Sequence, residues 1–369
     1  MARNGFKVMD SDMHVIEPTD LWQNYIDPKF RDRAPQGFDR YLGDMQVLVE
    51  GVRQPAENEE MGVGIIEENN FNEIYADPFA NGWDSGSQLR AMDAEGLDYA
   101  VLYPSRGLFV LAMDTMDPVF ADAVARAYSR WMSDFCSADP SRMSGAAMLS
   151  PFDVESAVLQ VRESSESHGF KAAFMRPNVV NGRNWHDPYY DPLWRELEAQ
   201  DVTLGFHEGA PTVMNQIGNR FPSYSLYHVC CHPMEMMISV VDTLGGGVME
   251  RFPNLRIGFL EGNCSWLPWL LWRMDEHDEL MGKYQGSQMT MTATEYFQRQ
   301  GFVSFEADES TGRFLGECGL EGVAVFSTDY PHSDSKFPHA TEAFMDLPIG
   351  EEMKRAVLWD NCARLYNLN

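Results

Sequence analysis

Eight short runs rich in β-branched and other apolar residues recur along the chain, and longer segments with helical periodicity separate them. The runs cover residues 6–10, 99–103, 145–149, 170–175, 202–206, 255–260, 302–305 and 323–327. The helical segments include residues 118–135, 154–168 and 192–200. Near-continuous apolar strands that alternate with helices are typical of a parallel sheet covered on both faces. Eight such units predict an α/β fold, a closed (β/α)8 TIM barrel that takes up residues 1–369 as a single domain.

The first connection between strands is anomalous, because residues 15–98 separate the first strand from the second. This segment is rich in Gly, Pro, Asn and Asp and carries apolar islands around Trp22, Phe71 and Trp83. At the C-terminal face of a barrel, a long insertion lies over the active site. We therefore expect residues 15–98 to form a cap or lid. Their composition fits equally well the alternative, an insertion that runs over the surface without covering the site.

The balance of charge excludes two classes of partner. The chain has 28 Lys and Arg residues against 56 Asp and Glu residues, a formal net charge of −28, which repels phosphate backbones and anionic membranes. No run of about 18 apolar residues could span a membrane, and the N-terminus lacks the apolar stretch of a signal peptide. The six cysteines form no zinc-type pair. We expect a cytoplasmic protein with reduced thiols that binds a small-molecule substrate.

Side chains able to bind a metal stand at three of the predicted strand ends. Asp12 and His14 are two residues apart at the end of the first strand, so both point to the same face of an extended backbone. His207 ends the fifth strand and Asp329 ends the eighth. All parallel strands of a closed barrel finish at one rim, where two imidazoles and two carboxylates would suit Zn²⁺, Mn²⁺ or Fe²⁺. Taken singly, each residue could instead cap a turn or a helix.

Longer blocks of sequence surround these strand ends. They are residues 10–18 (DSDMHVIEP), 205–210 (GFHEGA), 245–275, which contain FPNLRIGFLEG, and 327–332 (STDYPH). Together they resemble the amidohydrolase superfamily, in the branch of aminocarboxymuconate-semialdehyde decarboxylase and γ-resorcylate decarboxylase. The resemblance implies a barrel of the metal-dependent hydrolase type with a divalent metal held by Asp12, His14, His207 and Asp329. It also implies a homodimer or homotetramer.

The sequence departs from the pattern of this superfamily in three places. Asp12 stands where many members have the first His of an HxH motif. The fourth strand offers Met175 and Arg176, without a Lys or Glu that could bridge two ions, which favours a single metal. Glu261 occupies the place after the sixth strand where decarboxylases of the family commonly have a catalytic His. Loss of carbon dioxide and hydrolysis are therefore both open.

Other residues near the strand ends are candidates for a role in the site. Glu261 is interpreted as a general base, or as a ligand of a second ion together with His232. Arg176 is a candidate clamp for a substrate carboxylate, with a salt bridge to a neighbouring acid as the alternative. Trp266 and His332 are candidates for substrate contact. Arg106 is a weaker candidate for the clamp, and Glu17 is a candidate hydrogen-bond partner of a ligand imidazole.

These residues lead to one main hypothesis and two alternatives. The main hypothesis is a metal-dependent carboxy-lyase or hydrolase that acts on an aromatic or unsaturated oxygenated carboxylic acid and breaks a C–C or acyl bond. Asp329 would be both ligand and proton carrier, and Glu261 the second acid or base. The first alternative is an oxygenase with two irons, in which Glu261 and His232 complete the second site. The second is a barrel that binds a ligand without catalysis, and the intact set of potential ligands argues against it.

Overall fold

A computed structural model describes residues 5–55, 59–287 and 289–368, and its centre is a sheet of eight parallel strands. Each strand pairs with the next one along the chain in parallel register. The strands are β1 (Met9–Val15), β2 (Tyr99–Pro104), β3 (Met143–Met148), β4 (Ala172–Met175), β5 (Thr203–His207), β6 (Ile257–Leu260), β7 (Gly301–Glu306) and β8 (Ala324–Ser327).

Hydrogen bonds between β1 and β8 close this sheet into a barrel. The Ser11 hydroxyl donates to the Phe326 carbonyl at 2.7 Å, and the Ser327 hydroxyl donates to the Asp12 carbonyl at 3.1 Å. The amide of His14 donates to the carbonyl of Tyr330 at 2.7 Å. The predicted (β/α)8 architecture is confirmed, and all eight predicted runs overlap observed strands.

Helices cover the outside of the barrel, and the sequence fixes the ends of several of them. In the helix Val154–His168, the Asp153 side chain accepts from the amide of Ser156, and Gly169 ends the helix with a φ of 69°. The longest helix on the barrel, Pro118–Cys136, begins with Asp117 as its N-cap and Pro118 in its first turn. These helices bury the outer face of strands whose inner face is already buried, as parallel strands require.

The α-helices of the barrel range from 3 to 19 residues in length. The α-helices that follow β2 are Gly107–Val110, Pro118–Cys136, Val154–His168, Asp191–Ala199, Tyr224–Val240, Val248–Arg251, Leu267–His277, Lys283–Gln285, Ala293–Gln300, Phe314–Glu317, Ala340–Met345, Glu351–Arg355 and Asn361–Tyr366. Three π-helical turns, Val241–Gly245, Asp278–Gly282 and Ala356–Asp360, extend or join them. The 3-10 helices are Pro28–Arg33, Pro188–Tyr190, Ile217–Arg220, Ser310–Arg313 and Glu321–Val323.

The long connection after β1 folds into a small subdomain on the barrel. It contains a three-stranded antiparallel sheet and five short α-helices, and its residues 56–58 lie outside the described part of the chain. The strands are Gln36–Gly37, Val47–Val49 and Val52–Gln54, and the helices are Leu21–Tyr25, Glu59–Glu68, Phe71–Ile74, Ala76–Ala80 and Ser85–Glu95. Trp22 and Tyr75 are buried and anchor this insertion to the hydrophobic core of the barrel.

Two further features bear on the sequence analysis. Within the described ranges, no helix combines the length and the apolar character that crossing a membrane would require. All six cysteines are free thiols, and only Cys318 is exposed.

Candidate metal centre

The residues at the ends of β1, β5 and β8 meet at the carboxyl-terminal rim of the barrel. The Nε2 atoms of His14 and His207 lie 3.1 Å apart. Asp12 Oδ1 lies 3.3 Å from the His207 Nε2 atom, and Asp329 Oδ1 lies 3.6 Å from the His14 Nε2 atom. The structure thus brings together the four residues that the sequence proposed as ligands, although His14 and His207 are far apart in the chain.

The register of β1 contributes to this convergence. The pairing of β1 with β2 is irregular between Asp10 and Met13, so the strand is locally displaced where Asp12 lies. Bulges of this kind re-aim side chains near active sites. As a result, Asp12 and His14 both approach the His207 ring.

Hydrogen bonds hold both imidazoles with one nitrogen free to bind a cation. The Nδ1–H of His14 donates to the Pro104 carbonyl at 2.7 Å, and that of His207 donates to the Glu208 carbonyl at 2.8 Å. With Nδ1 protonated, each neutral ring carries its lone pair on Nε2. Two lone pairs that face each other across 3.1 Å repel unless a positive charge, either a proton or a metal ion, lies between them.

The carboxylates of the cluster also indicate a cation at its centre. Both carboxylate oxygens of Asp12, together with Glu261 Oε2 and Asp329 Oδ1, are buried and form no hydrogen bond of good geometry. Buried acceptors are normally satisfied, so this group lacks a partner. Ligand atoms about 2.1 Å from one ion, in perpendicular directions, lie ~3 Å apart, and the observed separations are close to this value. The residues present therefore fit a divalent cation.

The ionisation of the cluster also favours a positive charge at its centre. Burial lowers the pKa of His207, but Asp12 and Glu261 outweigh this effect and hold the pKa well above its ordinary value. Burial together with the Glu261 charge raises the pKa of Asp329 well above its usual range. The Asp329 carboxylate therefore favours its neutral form unless a cation lies beside it.

Glu261 is a member of the cluster and follows β6 directly. Its Oε2 atom lies 2.9 Å from His207 Nε2 and 3.5 Å from His14 Nε2. Glu261 and Asp329 both adopt a positive φ, 47° and 55°, which is uncommon for residues other than glycine and costs backbone energy. This strained turn at two strand ends directs both carboxylates to the imidazoles.

Two further histidines border the cluster. His332 Nδ1 lies 2.7 Å from Asp329 Oδ1, and its Nε2 is 2.9 Å from the hydroxyl of Ser105. His232 Nε2 lies 3.2 Å from Glu261 Oε1, and burial lowers the pKa of this histidine to about 4. The proximity of His232 to Glu261 that the second-ion interpretation needs is therefore present.

Arg176 does not point into the cluster. Each nitrogen of its buried guanidinium donates to a protein oxygen, and Nη2 forms an ion pair with Glu208 Oε1 at 2.5 Å. Of the two interpretations offered by the sequence, the structure shows the salt bridge and leaves no guanidinium fork for a substrate. The guanidinium of Arg106 also has protein partners, because it donates to the carbonyls of Glu17, Phe38 and Asp44.

The expectation for Glu17 is corrected, and substrate contact by Trp266 stays a prediction. The carboxylate of Glu17 accepts the backbone amides of residues 105–107 instead of supporting an imidazole, and the Pro104 carbonyl supports His14 in its place. The indole of Trp266 donates to the Gly262 carbonyl at 2.6 Å. Trp266 is not among the residues that line the cavity beside the cluster.

Asp10 has a role in the site that the strand pattern did not reveal. This buried carboxylate accepts the amide of Asp12 at 3.0 Å and both the amide and the hydroxyl of Thr328. It therefore ties the residue beside Asp329 to Asp12 itself. An acid two positions before Asp12 was a visible signal, since extended residues i and i+2 share a face.

An open cavity of about 430 Å³ leads from the cluster to the insertion. Glu261, His232 and His332 lie at its inner end, and apolar side chains form most of its outer wall. The outer wall includes Met45, Met61 and Ile65 of the insertion and Leu108, Phe109, Ala210, Tyr224 and Val229 of the barrel loops. Its size is in the range of small-molecule sites. The insertion thus borders the cavity, and its movement as a lid stays a prediction.

The chain is similar to known proteins over most of its length. The sequence profile of a family described as amidohydrolase matches residues 10–368. Among curated proteins, the chain is 23% identical over 291 residues to γ-resorcylate decarboxylase from Polaromonas sp., covering 76% of this chain and 87% of that protein. It is 24% identical over 256 residues to 2-amino-3-carboxymuconate-6-semialdehyde decarboxylase from Dictyostelium discoideum, covering 68% of each.

Solved structures share the fold over almost the whole chain. An amidohydrolase from Mycobacterium avium subsp. paratuberculosis superposes with a TM-score of 0.79 at 19% identity, covering 98% of this chain and 99% of that one. A 5-carboxyvanillate decarboxylase from Novosphingobium aromaticivorans with bound manganese superposes with a TM-score of 0.69 at 18% identity, covering 99% and 98%.

Proposed function

The chain belongs to the amidohydrolase family, and on this basis we propose that it is a metal-dependent carboxy-lyase acting on an aromatic or unsaturated oxygenated carboxylic acid. The observation that carries the proposal is the group of unpartnered carboxylate oxygens at the ends of β1, β6 and β8, two of which lie within 3.3 Å of His207 Nε2 at the end of β5. Both curated relatives named above are decarboxylases. This supports carbon dioxide loss over oxygenation.

We propose that Asp12, His14, His207 and Asp329 hold one divalent ion, either manganese, zinc or iron. Manganese is bound in the similar decarboxylase structure from Novosphingobium, and the mixed His and carboxylate donor set accepts all three ions. A cation held here would stabilise the negative charge that develops on the substrate as the bond breaks.

The protein residues supply the proton that the reaction consumes. In decarboxylation the C–C bond breaks, its electron pair stays on the substrate carbon, that carbon takes up a proton, and carbon dioxide leaves. We propose that Asp329 delivers this proton. Its Oδ1 atom lies 2.7 Å from His332 Nδ1, close enough for a proton to pass once the two side chains align. His332 is in turn held by the Ser105 hydroxyl and borders the cavity, and these contacts support a role in returning the proton to Asp329.

Hydrolysis is the second candidate function, and the position of Glu261 favours it. The Oε2 atom of this carboxylate has no hydrogen bond of good geometry and lies at the inner end of the cavity, where a general base for a water molecule is needed. In an oxygenase, Glu261 would instead hold a second iron with His232. The three functions differ in product and in their need for oxygen.

Release of labelled carbon dioxide tests the carboxy-lyase proposal, and the need for oxygen tests the oxygenase. Protein loaded with Mn²⁺ is incubated without oxygen with a panel of hydroxylated aromatic acids labelled with ¹³C at the carboxyl group. We expect labelled carbon dioxide, and we expect the variant Asp329→Asn to lose at least about a thousandfold in kcat while keeping the wild-type circular dichroism spectrum. The exposed variant Asp346→Asn is the matched control. Full activity of Asp329→Asn, or turnover only in the presence of oxygen, would refute the proposal.

We further propose a homodimer or homotetramer. Its support is a set of large apolar side chains exposed on the helices that follow β5 and β6, and the corresponding experiment belongs to the scale of the whole molecule.

A further inference from the structure

The cavity beside the cluster is lined by carboxylates at one end and by apolar groups at the other. Glu261 and Asp334 border its inner part, and Glu306, Asp308 and Asp329 line an adjoining cavity of about 490 Å³. The outer wall is formed by the thioethers and alkyl groups of the insertion and by Leu108 and Phe109. A third, smaller space of about 90 Å³ continues between insertion residues such as Ile66 and Phe71.

Basic side chains are scarce around these spaces. Among the described residues that line the three cavities, Lys336 is the single Lys or Arg. Its Nζ atom already lies 3.0 Å from Asp308 Oδ2. The nearby guanidinium of Arg176 is committed to the ion pair with Glu208, and that of Arg106 is committed to backbone carbonyls. A second anionic group on a substrate would therefore meet carboxylates and no free cation.

The volume of the cavity also limits the substrate. A cavity of about 150 Å³ is sufficient for one benzene ring, whereas the cavity beside the cluster measures about 430 Å³. A molecule with one ring would leave most of the apolar wall in contact with water. Burial of apolar surface on both partners favours a ligand that extends along Met61 and Ile65.

From the wall chemistry and the volume, we infer that the substrate carries a single anionic group, the carboxylate that reacts at the cluster, and an uncharged apolar extension longer than one ring. This inference rests on the proposed function, because it takes the reacting group to be a carboxylate. Ile65 and its neighbours are then specificity-determining residues, since they contact the part of the substrate that does not react.

Binding of three probes tests the inference on the unmodified protein. The probes are salicylate, 4-phenylsalicylate and 4-hydroxyisophthalate, and their Kd values for the protein loaded with Mn²⁺ are measured by isothermal titration calorimetry. We expect 4-phenylsalicylate to bind at least about tenfold more tightly than salicylate, and 4-hydroxyisophthalate at least about tenfold more weakly. The inference would be overturned if 4-hydroxyisophthalate bound as tightly as salicylate or more tightly, or if no probe bound measurably.

A charge introduced in the wall gives a second, independent measurement. The variant Ile65→Arg supplies the missing cation, so we expect the Kd of 4-hydroxyisophthalate to fall by about tenfold and that of 4-phenylsalicylate to rise. Val63→Arg is the matched control, because Val63 lies on the same helix, is exposed and does not line these cavities. An identical effect of both substitutions would count against a role for the cavity wall.

The two proposals fail in different ways. If the predicted order of affinities is found but no probe loses carbon dioxide, the inference about the binding site stands and the carboxy-lyase proposal fails. If carbon dioxide is released most efficiently from the dicarboxylate, the carboxy-lyase proposal stands and the inference fails.

Discussion

At the scale of single residues, the position of the candidate ligands depends on groups that do not themselves face the cavity. Asp10 is fully buried, and its two oxygens accept backbone amides from β1 and from the segment after β8. Burial raises the pKa of this carboxyl group to about 7. A buried acid with amide partners on two strands acts as a positioning residue for Asp12 and Asp329.

The substitution Asp10→Asn should therefore shift Asp12 and Asp329, although Asp10 is not itself a candidate ligand. The Asn amide can replace only one carboxylate oxygen as an acceptor, so one backbone amide is left facing a donor. We expect a loss of about 1–3 kcal/mol in the free energy of unfolding, measured in urea, together with a higher Kd for Mn²⁺. Asp20→Asn, at an exposed position whose side chain makes no cap hydrogen bond, is the control, and unchanged Mn²⁺ affinity in Asp10→Asn would contradict a positioning role.

The sequence was informative about individual residues where the fold alone decides their surroundings. Asp12, His14 and His207 lie in strands of a parallel barrel and Asp329 follows one, so their shared rim could be inferred before any side chain was placed. Arg176 could not be treated in this way, because its partners are a side chain on the next strand end and carbonyls of residues 108 and 209. Such pairings depend on how loops pack, which a strand pattern does not encode.

At the scale of elements, the insertion touches the loop that carries Asp329. The Tyr75 ring stacks on Phe337 with ring centroids 5.4 Å apart and an interplanar angle of 15°. It also lies 5.8 Å from the ring of Tyr330, the residue after Asp329. This aromatic contact links the wall of the cavity to the end of β8.

Removing that contact should loosen the insertion and impair the site together. For Tyr75→Ala we expect a loss of about 3 kcal/mol in the free energy of unfolding, faster proteolysis within residues 59–95, and a higher KM for any turned-over acid. Tyr284→Ala removes an aromatic ring that is 78% exposed and should leave all three quantities unchanged. If Tyr75→Ala is cleaved at the same rate as the wild-type protein, the insertion is held by other contacts.

The barrel strands could be predicted from the sequence, whereas the elements of the insertion could not, because the two differ in length and burial. Barrel strands such as β1 and β5 are buried on both faces, so they appear as uninterrupted apolar runs. The insertion is built from helices of 4–11 residues and strands of two or three residues, which are too short to show a period. Its presence could be inferred from the length of the connection after β1, but its internal structure could not.

At the scale of the whole molecule, a net charge of −28 opposes the association of two copies except where their surfaces are uncharged. Most of the large apolar side chains exposed in the described part of the chain lie on the helices after β5 and β6 and on the loops beside them. The exposed set on these helices includes Leu226, Val229, Met234, Ile238, Trp269 and Trp272. Exposed apolar patches of this kind mark interaction surfaces.

We expect these two helices to form the contact between copies in the proposed homo-oligomer. Light scattering after size-exclusion chromatography should then give two or four times the chain mass, and Trp269→Glu should reduce it because a carboxylate would be buried against a second acidic copy. The association should strengthen between about 10 mM and 150 mM NaCl, since the Debye length falls from roughly 30 Å to roughly 8 Å. Leu159→Glu, a change at an apolar residue that is 52% exposed on another helix, should leave the mass unchanged. A wild-type protein that elutes with the mass of one chain at both salt concentrations would rule out this interface.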